Sequence, residues 1–598
     1  MSTHKDRIEA LRAQLGHQRL GGFVVPLTDE HMSEYVGEYA QRLAWLTGFE
    51  GSAGSAAVLA DKAAIFVDGR YTLQVRDQVD GSLFSYQNIP DTSIADWLGA
   101  QAKSGDRIGY DPWLHTRGWV ESTTRALAAK GAELVAIAEN PIDRVWRDRP
   151  APSPERLVPQ LDEHAGQSSA DKRRGVAEFL QGAGAGAGVV AALDSIAWLF
   201  NVRGSDVSRT PVGLAFAIVH GDATAELFVD PGKVDDTLKV HLGPDVRVRP
   251  RNDFAGALEA LGGTVVADPA TCVAAIFERL KTGGATIVEA RDPCILPKAK
   301  KNPVEIAGTR AAHVRDGAAL TRFLHWFAGE APKGELDELT AAARLEGFRR
   351  ETNQLRDLSF DTISGAGPNG AIVHYRVSPA TNRKIERDSL FLIDSGAQYV
   401  DGTTDVTRTL AVGTPSAEMR DRFTRVLKGH IAVATAVFPR GTRGIQLDTL
   451  ARTPLWEVGL DYAHGTGHGV GSFLSVHEGP QRITLPGSGQ SGGDEPLAEG
   501  MILSDEPGYY KTGEYGIRVE NLVLVVKKDV PGAEKDMLGF ETLTLAPIDL
   551  ALVDVAMLSV RERDWLNAYH ARVEAELAPL LPDEVQGWLR DVTRPIKL

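Results

Sequence analysis

Five side chains in the last third of this 598-residue chain are of the types that bind metal. Asp394 closes the apolar run SLFLID, and Asp405 follows in TTDVTRTL. His468 lies in HGTGHGVG, Glu506 in SDEPGYY and Glu520 in GIRVENLVLVV. The four carboxylates carry four negative charges and a neutral imidazole adds none, so two divalent cations balance the set. Oxygen donors with one nitrogen suit a hard or borderline metal better than a thiolate site would. A pair of such ions polarises a carbonyl and holds hydroxide at neutral pH. Any one acid taken alone is most often a solvated surface residue, but these five share a context. Asp394 follows Phe391, Leu392 and Ile393. Glu506 follows Met501, Ile502 and Leu503, and Glu520 leads into Leu522, Val523, Leu524 and Val525. Such runs read as short strands, and a charge attached to a buried strand is costly unless something pairs with it. Apart from Arg408 and Arg518, basic residues are scarce beside these acids, so a bound cation is the expected partner.

The strands that carry the acids alternate with helical patterns. Pro303 to Gly329 reads as a long helix, and helix-like stretches recur at Leu336 to Gln354 and Ala417 to Phe438. After Glu541 the chain turns helical again, chiefly from Val560 to Leu589. That segment contains Trp565, Leu566, Tyr569 and Trp588, which either cover a core or serve an interface. Asp394 and Asp405 are expected on two strands of one hairpin, facing one cavity. Arg518 and Glu520, two residues apart, are read as one strand pointing to one face. His464 and His468 have helical spacing, yet Gly465, Gly467 and Gly469 favour a tight loop there.

Two segments rich in proline and charge, 147–159 and 291–303, read as linkers that support neither a helix nor a central strand. They divide the chain into 1–150, 151–302 and 303–598. The first two pieces resemble each other. AWLTGFEGS begins at Ala44 and AWLFNVRGS at Ala197, and each is followed by a strand-like run ending in FVD, AAIFVDGR and AELFVDPG. Ordered recurrence of two motifs points to a duplicated α/β domain. The run GAGAGAG at 182–188 lacks the spacing of a nucleotide fingerprint and reads as a loop leading into a strand.

Hydrophobic content of 43% and charged content of 24% are those of an ordinary soluble protein. A net charge of −15 argues against nucleic acid or anionic membranes as partners. The two cysteines, Cys272 and Cys294, fit a reducing compartment and read as buried structural residues. The N-terminal segment is polar and helical in pattern, without the apolar core of a signal peptide, and no stretch has the apolar length of a membrane span. A cytoplasmic location is the resulting expectation.

The blocks FDTISGAGPNGAIVHY, LIDSGAQYVDGTTDVTRT, GLDYAHGTGHGVGSFLSVHEGP, SDEPGYY and GIRVEN resemble, in order and spacing, the superfamily of methionine aminopeptidase, prolidase and aminopeptidase P. The similarity is closest to aminopeptidase P and spans nearly the whole chain. It implies an α/β protein with two creatinase-type N-terminal domains, 1–150 and 151–302. A pita-bread catalytic domain then spans 303–598, with a helical C-terminal extension from around Glu541. It also implies removal of the N-terminal residue from peptides whose second residue is proline. Ordinary aminopeptidases handle that imide bond poorly, because proline fixes the backbone and lacks the N–H they would grip. The family usually uses two manganese ions, with cobalt or zinc as alternatives.

The resemblance further implies roles. Asp394 binds one metal, His468 and Glu506 bind the other, and Asp405 and Glu520 bridge them. A bridging hydroxide is the nucleophile, and Glu506 accepts a proton. A lone histidine is more often a packed or surface residue than a catalyst. Here the matching blocks imply that His374, His464 and His477 hold substrate and stabilise the tetrahedral intermediate. Arg518 is expected to position Glu520 or cap the polar wall, and Phe360 to form an apolar wall for the proline ring. The expected partners are X-Pro peptides and a second copy of the chain. Two rivals remain: a prolidase acting on X-Pro dipeptides, and a non-catalytic pita-bread binding protein, which would be expected to lack some of these ligands.

Overall fold

The computed structural model describes residues 3–89, 91–486 and 492–597. It divides into two compact units, 1–295 and 296–598.

The first unit holds two six-stranded sheets of the same topology. One runs Ser85–Asn88, Ala63–Val67, Ser55–Leu59, Gly22–Pro26, Arg107–Tyr110, Glu133–Ala136. The other runs Val246–Pro250, Ala225–Val229, Ala215–His220, Ala187–Val190, Thr264–Ala267, Thr286–Glu289. In both, the three strands second to fourth in that order pair antiparallel and the outer pairings are parallel. The repeated Ala-Trp-Leu motifs fall on equivalent helices, Arg42–Thr47 and Leu193–Leu199, and the FVD runs on equivalent strands. The glycine-alanine run spans the end of the helix Ser169–Gly182 and the start of the strand Ala187–Val190. Cys272 and Cys294 are buried free thiols.

The second unit starts on the helix Pro303–Glu330. Asn302 caps it by accepting from the backbone of Val304 and Glu305, the Glu305 side chain reciprocates, and Pro303 occupies the first turn, where its missing N–H costs nothing. Helices Glu338–Arg350, Ala417–Ala434 and Gly444–Trp456 follow, between strands. A six-stranded sheet runs Val437–Pro439, Met537–Thr542, Asn521–Lys528, Ile502–Asp505, Gly467–Gly469, Glu478–Ile483. A three-stranded sheet runs Ile363–Ala366, Ser389–Ser395, Val406–Val412. The run LVLVV has no polar alternation because both faces of its strand are covered. Val523 and Val525 pack with Val433, Leu447 and Ala451, while Leu522 and Leu524 pack with Val470 and Leu543.

Two local expectations are corrected. The segment 291–303 contains a short helix, Ile295–Ala299, whereas 147–159 holds no helix and only a minimal two-residue strand, Val158–Pro159, paired with Val202–Arg203. The C-terminal helical stretch is two helices, Val560–Leu577 and Asp583–Val592, because Pro579 and Pro582 interrupt the hydrogen-bond ladder. Much of their apolar surface lies inside the domain they follow: Leu566, Tyr569, Val573, Leu577, Val585 and Leu589 are buried with Leu427, Ile431 and Leu545.

Candidate metal centre

Each of the five acids and histidines sits at or beside a strand end, where backbone pairing fixes its position. Asp394 lies in Ser389–Ser395, opposite Thr407 of the antiparallel strand Val406–Val412. Asp405 immediately precedes that second strand, so the hairpin brings the two carboxylates to one end. A minor ladder, Ala397–Tyr399 with Gly402–Thr403, occupies the turn between them. His468 is the middle residue of Gly467–Gly469. The flanking glycines are required by close approach: a Cβ at Gly467 would lie 2.0 Å from the Ser504 carbonyl oxygen, and one at Gly469 would lie 2.1 Å from that of Glu478. Glu506 follows the strand Ile502–Asp505, and its N–H donates to Thr466 O at 2.8 Å. Glu520 falls in a break between Tyr515–Arg518 and Asn521–Lys528, so Arg518 and Glu520 are not on one continuous strand as expected. They nonetheless meet the same hydroxyl: Arg518 Nε donates to Thr407 Oγ1 at 3.1 Å, and Thr407 Oγ1 donates to Glu520 Oε2 at 2.6 Å.

The donor atoms converge. One ligand atom each from Asp405, His468 and Glu520 lie within 4.8 Å of one another. His468 Nε2 is 3.5 Å from Asp405 Oδ2 and 3.3 Å from Glu506 Oε1. His468 Nδ1 lies 3.0 Å from Gly469 O, which can only accept, so in the neutral ring the proton sits on Nδ1 and Nε2 offers its lone pair. Glu506 Oε1 already accepts from Ser504 Oγ at 3.0 Å, and Ser504 Oγ in turn accepts from His468 N–H at 2.9 Å. Three atoms that can each serve as a metal ligand, His468 Nε2, Asp405 Oδ2 and Glu506 Oε1, thus converge on one point. Asp394 Oδ1 is buried and has no hydrogen-bond donor, although Oδ2 accepts from Arg518 Nη2 at 2.7 Å. Four carboxylates and one guanidinium sum to −3, which two divalent cations would bring to +1. The donor set therefore fits metal ions, and a neutral imidazole with its second nitrogen tied to a carbonyl is the usual form of a metal-binding histidine.

The electrostatics carry the same signature. Burial pushes the Asp405 carboxyl well above the usual carboxylate range, and Asp394 and Glu506 add to the shift. Burial does the same to Glu520, reinforced by Asp405, Glu506 and Asp394, and lifts Glu506 to about 7. Burial works against the Arg518 charge, but Tyr510, Asp394 and Glu506 outweigh it and hold the guanidinium charged. Protein charge alone does not neutralise this cluster.

Of the other expected residues, His464 is tied to the centre through Tyr510 and Arg518. Its Nε2 lies 2.8 Å from the Tyr510 hydroxyl, which accepts from Arg518 Nη1 at 2.6 Å. His464, Tyr510, Arg518 and Asp394 are therefore one hydrogen-bonded row. His477 is half-buried with its ring centroid 4.3 Å from that of His468. His374 is half-buried in the segment after the turn Gly367–Ala371. Glu338 organises that segment, accepting from Ala366 N, Asn369 Nδ2, Tyr375 OH and Arg383 N. Phe360 is half-buried beside Gly396, two residues from Asp394. Behind the centre, the buried Arg408 donates to Thr407 O, Glu520 O, Asn521 Oδ1, Ala546 O, Pro547 O and the Tyr569 hydroxyl, so the helix Val560–Leu577 braces the strands that carry the acids. Sequence reasoning missed Thr407, Ser504 and Tyr510. The only signal was their place inside quoted blocks, beside residues already singled out.

Comparison with known proteins matches residues 307–527 to metallopeptidase family M24 and residues 536–596 to the C-terminal region of that family. Residues 7–145 and 148–305 each match a creatinase/prolidase N-terminal domain. A probable Xaa-Pro aminopeptidase P of Laccaria bicolor is 42% identical, over 99% of this chain and 93% of its own. Aminopeptidase P2 of Arabidopsis thaliana is 40% identical, over 99% and 88%. The crystal structure of an X-prolyl aminopeptidase from Caenorhabditis elegans, described as a cytosolic enzyme with a di-nuclear active site, superposes with a TM-score of 0.94. Its identity is 35%, and the match covers 100% of both chains.

Proposed function

The chain belongs to metallopeptidase family M24, and from that premise we propose that it is a dinuclear-metal aminopeptidase that releases the N-terminal residue from peptides with proline in second position. The observation that carries the reading is the convergence of His468 Nε2 with Asp405 and Glu506, at 3.5 and 3.3 Å, inside a full-length match to proteins named for this activity.

Asp394, Asp405, His468, Glu506 and Glu520 would hold two divalent ions, which we take to be manganese. When bound, such ions polarise a substrate carbonyl and lower the pKa of water. The protein's own part is placement and proton handling. Ser504 orients Glu506 Oε1, and Glu506 is the residue proposed, by analogy with the family, to take up a proton. Thr407 fixes Glu520, and Arg518 fixes Asp394 while bracing Tyr510 against His464. His374, His464 and His477 are proposed to bind the peptide and the developing oxyanion, and Phe360 to flank the proline ring.

We further propose a cytoplasmic homodimer. The relative of known structure is described as cytosolic, and among the described residues no helix is long and apolar enough to cross a membrane. Sedimentation velocity tests the dimer. The activity is tested by stripping the protein with chelator, restoring manganese, and offering Arg-Pro-Pro, Arg-Pro and Arg-Ala-Ala. Metal-dependent release of arginine from Arg-Pro-Pro alone is expected. Cleavage of Arg-Pro in preference would make the protein a prolidase, and no cleavage would make it a binding protein.

A further inference from the structure

The loop that delivers His464 is gripped from behind by a buried ion pair. Asp448 and Arg452 lie one turn apart on the helix Gly444–Trp456, with side chains 0% and 1% exposed. Arg452 Nε donates to Asp448 Oδ2 at 2.6 Å. The rest of the guanidinium fork donates to Asp461 Oδ1, Tyr462 O and His464 O, each at 2.7 Å. Its carbon lies 3.9 Å from the centroid of the Tyr462 ring. Asp448 Oδ1 accepts from Thr466 Oγ1 at 2.7 Å. One helical turn thus holds four positions of the six-residue segment 461–466.

That segment is coupled to the centre at two points. Thr466 O accepts from Glu506 N–H at 2.8 Å, and His464 Nε2 meets the Tyr510 hydroxyl at 2.8 Å. A buried ion pair is poor evidence for stability, since apolar residues of similar volume commonly replace one without loss. This arginine spends its planar, rigid fork on acceptors in different directions, two of them backbone carbonyls of the loop, which neither an apolar residue nor a single ammonium can match. Neither Asp448 nor Arg452 bonds to the side chain of a proposed metal ligand, so loop placement and metal binding are separable.

We propose that Asp448 and Arg452 are a positioning pair for the reaction, holding segment 461–466 so that His464 and Glu506 face one reaction space. The proposal rests on the aminopeptidase reading, and the wild-type protein separates the two: if it leaves Arg-Pro-Pro intact, the activity itself is wrong. Given an active wild type, Arg452→Ala is expected to retain two metal ions per chain and to lose up to roughly 100-fold in kcat, the cost of misplacing a reacting group by about 1 Å. Millimolar guanidinium is expected to restore part of that loss by occupying the fork's place. Arg452→Lys is expected to remain impaired. Wild-type kcat in folded Arg452→Ala, or a loss of kcat that tracks lost metal and resists guanidinium, overturns the proposal. Should Arg452→Ala fail to fold, Thr466→Val keeps the shape and removes the hydroxyl that bonds Asp448 and the Tyr462 hydroxyl within the same segment. It is expected to lower kcat several-fold at full metal content, and an unchanged kcat overturns the proposal equally.

Discussion

Thr407 is the sharpest place to perturb the centre without touching a proposed ligand. Its hydroxyl accepts from Arg518 Nε at 3.1 Å and donates to Glu520 Oε2 at 2.6 Å, and both partners are only 1% exposed. Thr407→Val keeps the β-branched shape that suits the strand and deletes both bonds. Hydrogen bonds to charged groups contribute about 1.5–3 kcal/mol each. The Arg518 bond is lost in the metal-free and metal-bound states alike and lowers fold stability. The Glu520 bond, also present without metal, pre-orients a proposed bridging carboxylate. Losing such a partner behind a ligand usually costs roughly 10–100-fold in metal affinity. The assay is calorimetric titration of manganese into chelated wild-type and variant protein, with circular dichroism to confirm the fold. A folded variant whose dissociation constants stay within twofold of wild type would refute the reasoning that Thr407 orients Glu520.

Asp405→Asn is expected to lose metal and nearly all turnover with the fold intact. Two bound metals with full activity, read by elemental analysis and peptide digestion, would sink its bridging assignment. His464→Ala is expected to retain both metals and lower kcat severely, whereas loss of metal would make His464 a ligand. The carboxylates also set a pH dependence. Glu506 is raised from the usual carboxylate range to about 7, and Asp405 and Glu520 are raised as well. Across that interval the folded metal-free protein binds more protons than the unfolded chain, so its stability falls as pH rises from about 4 towards 7. Bound cations remove the penalty. The gap in Tm between metal-loaded and chelated protein should therefore be wider at pH 8 than at pH 5, and an equal or narrower gap would contradict the assignment.

The five proposed ligands were legible because their chemistry is visible in one dimension: acids at the ends of apolar runs, and a histidine between glycines. The duplicated N-terminal domains were legible because the Ala-Trp-Leu and Phe-Val-Asp motifs recur in order and land on equivalent helices and strands. The supporting hydroxyls were not. Thr407 reaches Glu520, 113 positions away, only because the register of the sheets brings them together. Serine and threonine carry no periodic signal by which that pairing could be read. The C-terminal helices leave two outcomes open in the sequence for a related reason. Their apolar faces predict burial, but whether against their own domain or another chain is a tertiary choice, and Leu566, Val573 and Leu577 pack with Leu427 and Ile431. The two-residue spacing of Arg518 and Glu520 predicts one strand, yet the strand breaks between them, and what joins them is the shared Thr407 hydroxyl.

The most direct test of the central claim is to titrate manganese into the chelated protein while following release of free arginine from Arg-Pro-Pro by mass spectrometry. The account predicts no release without metal and a rate that climbs until two ions are bound per chain. Release that persists in excess chelator, or a protein that binds two ions per chain and leaves Arg-Pro-Pro intact, would contradict it.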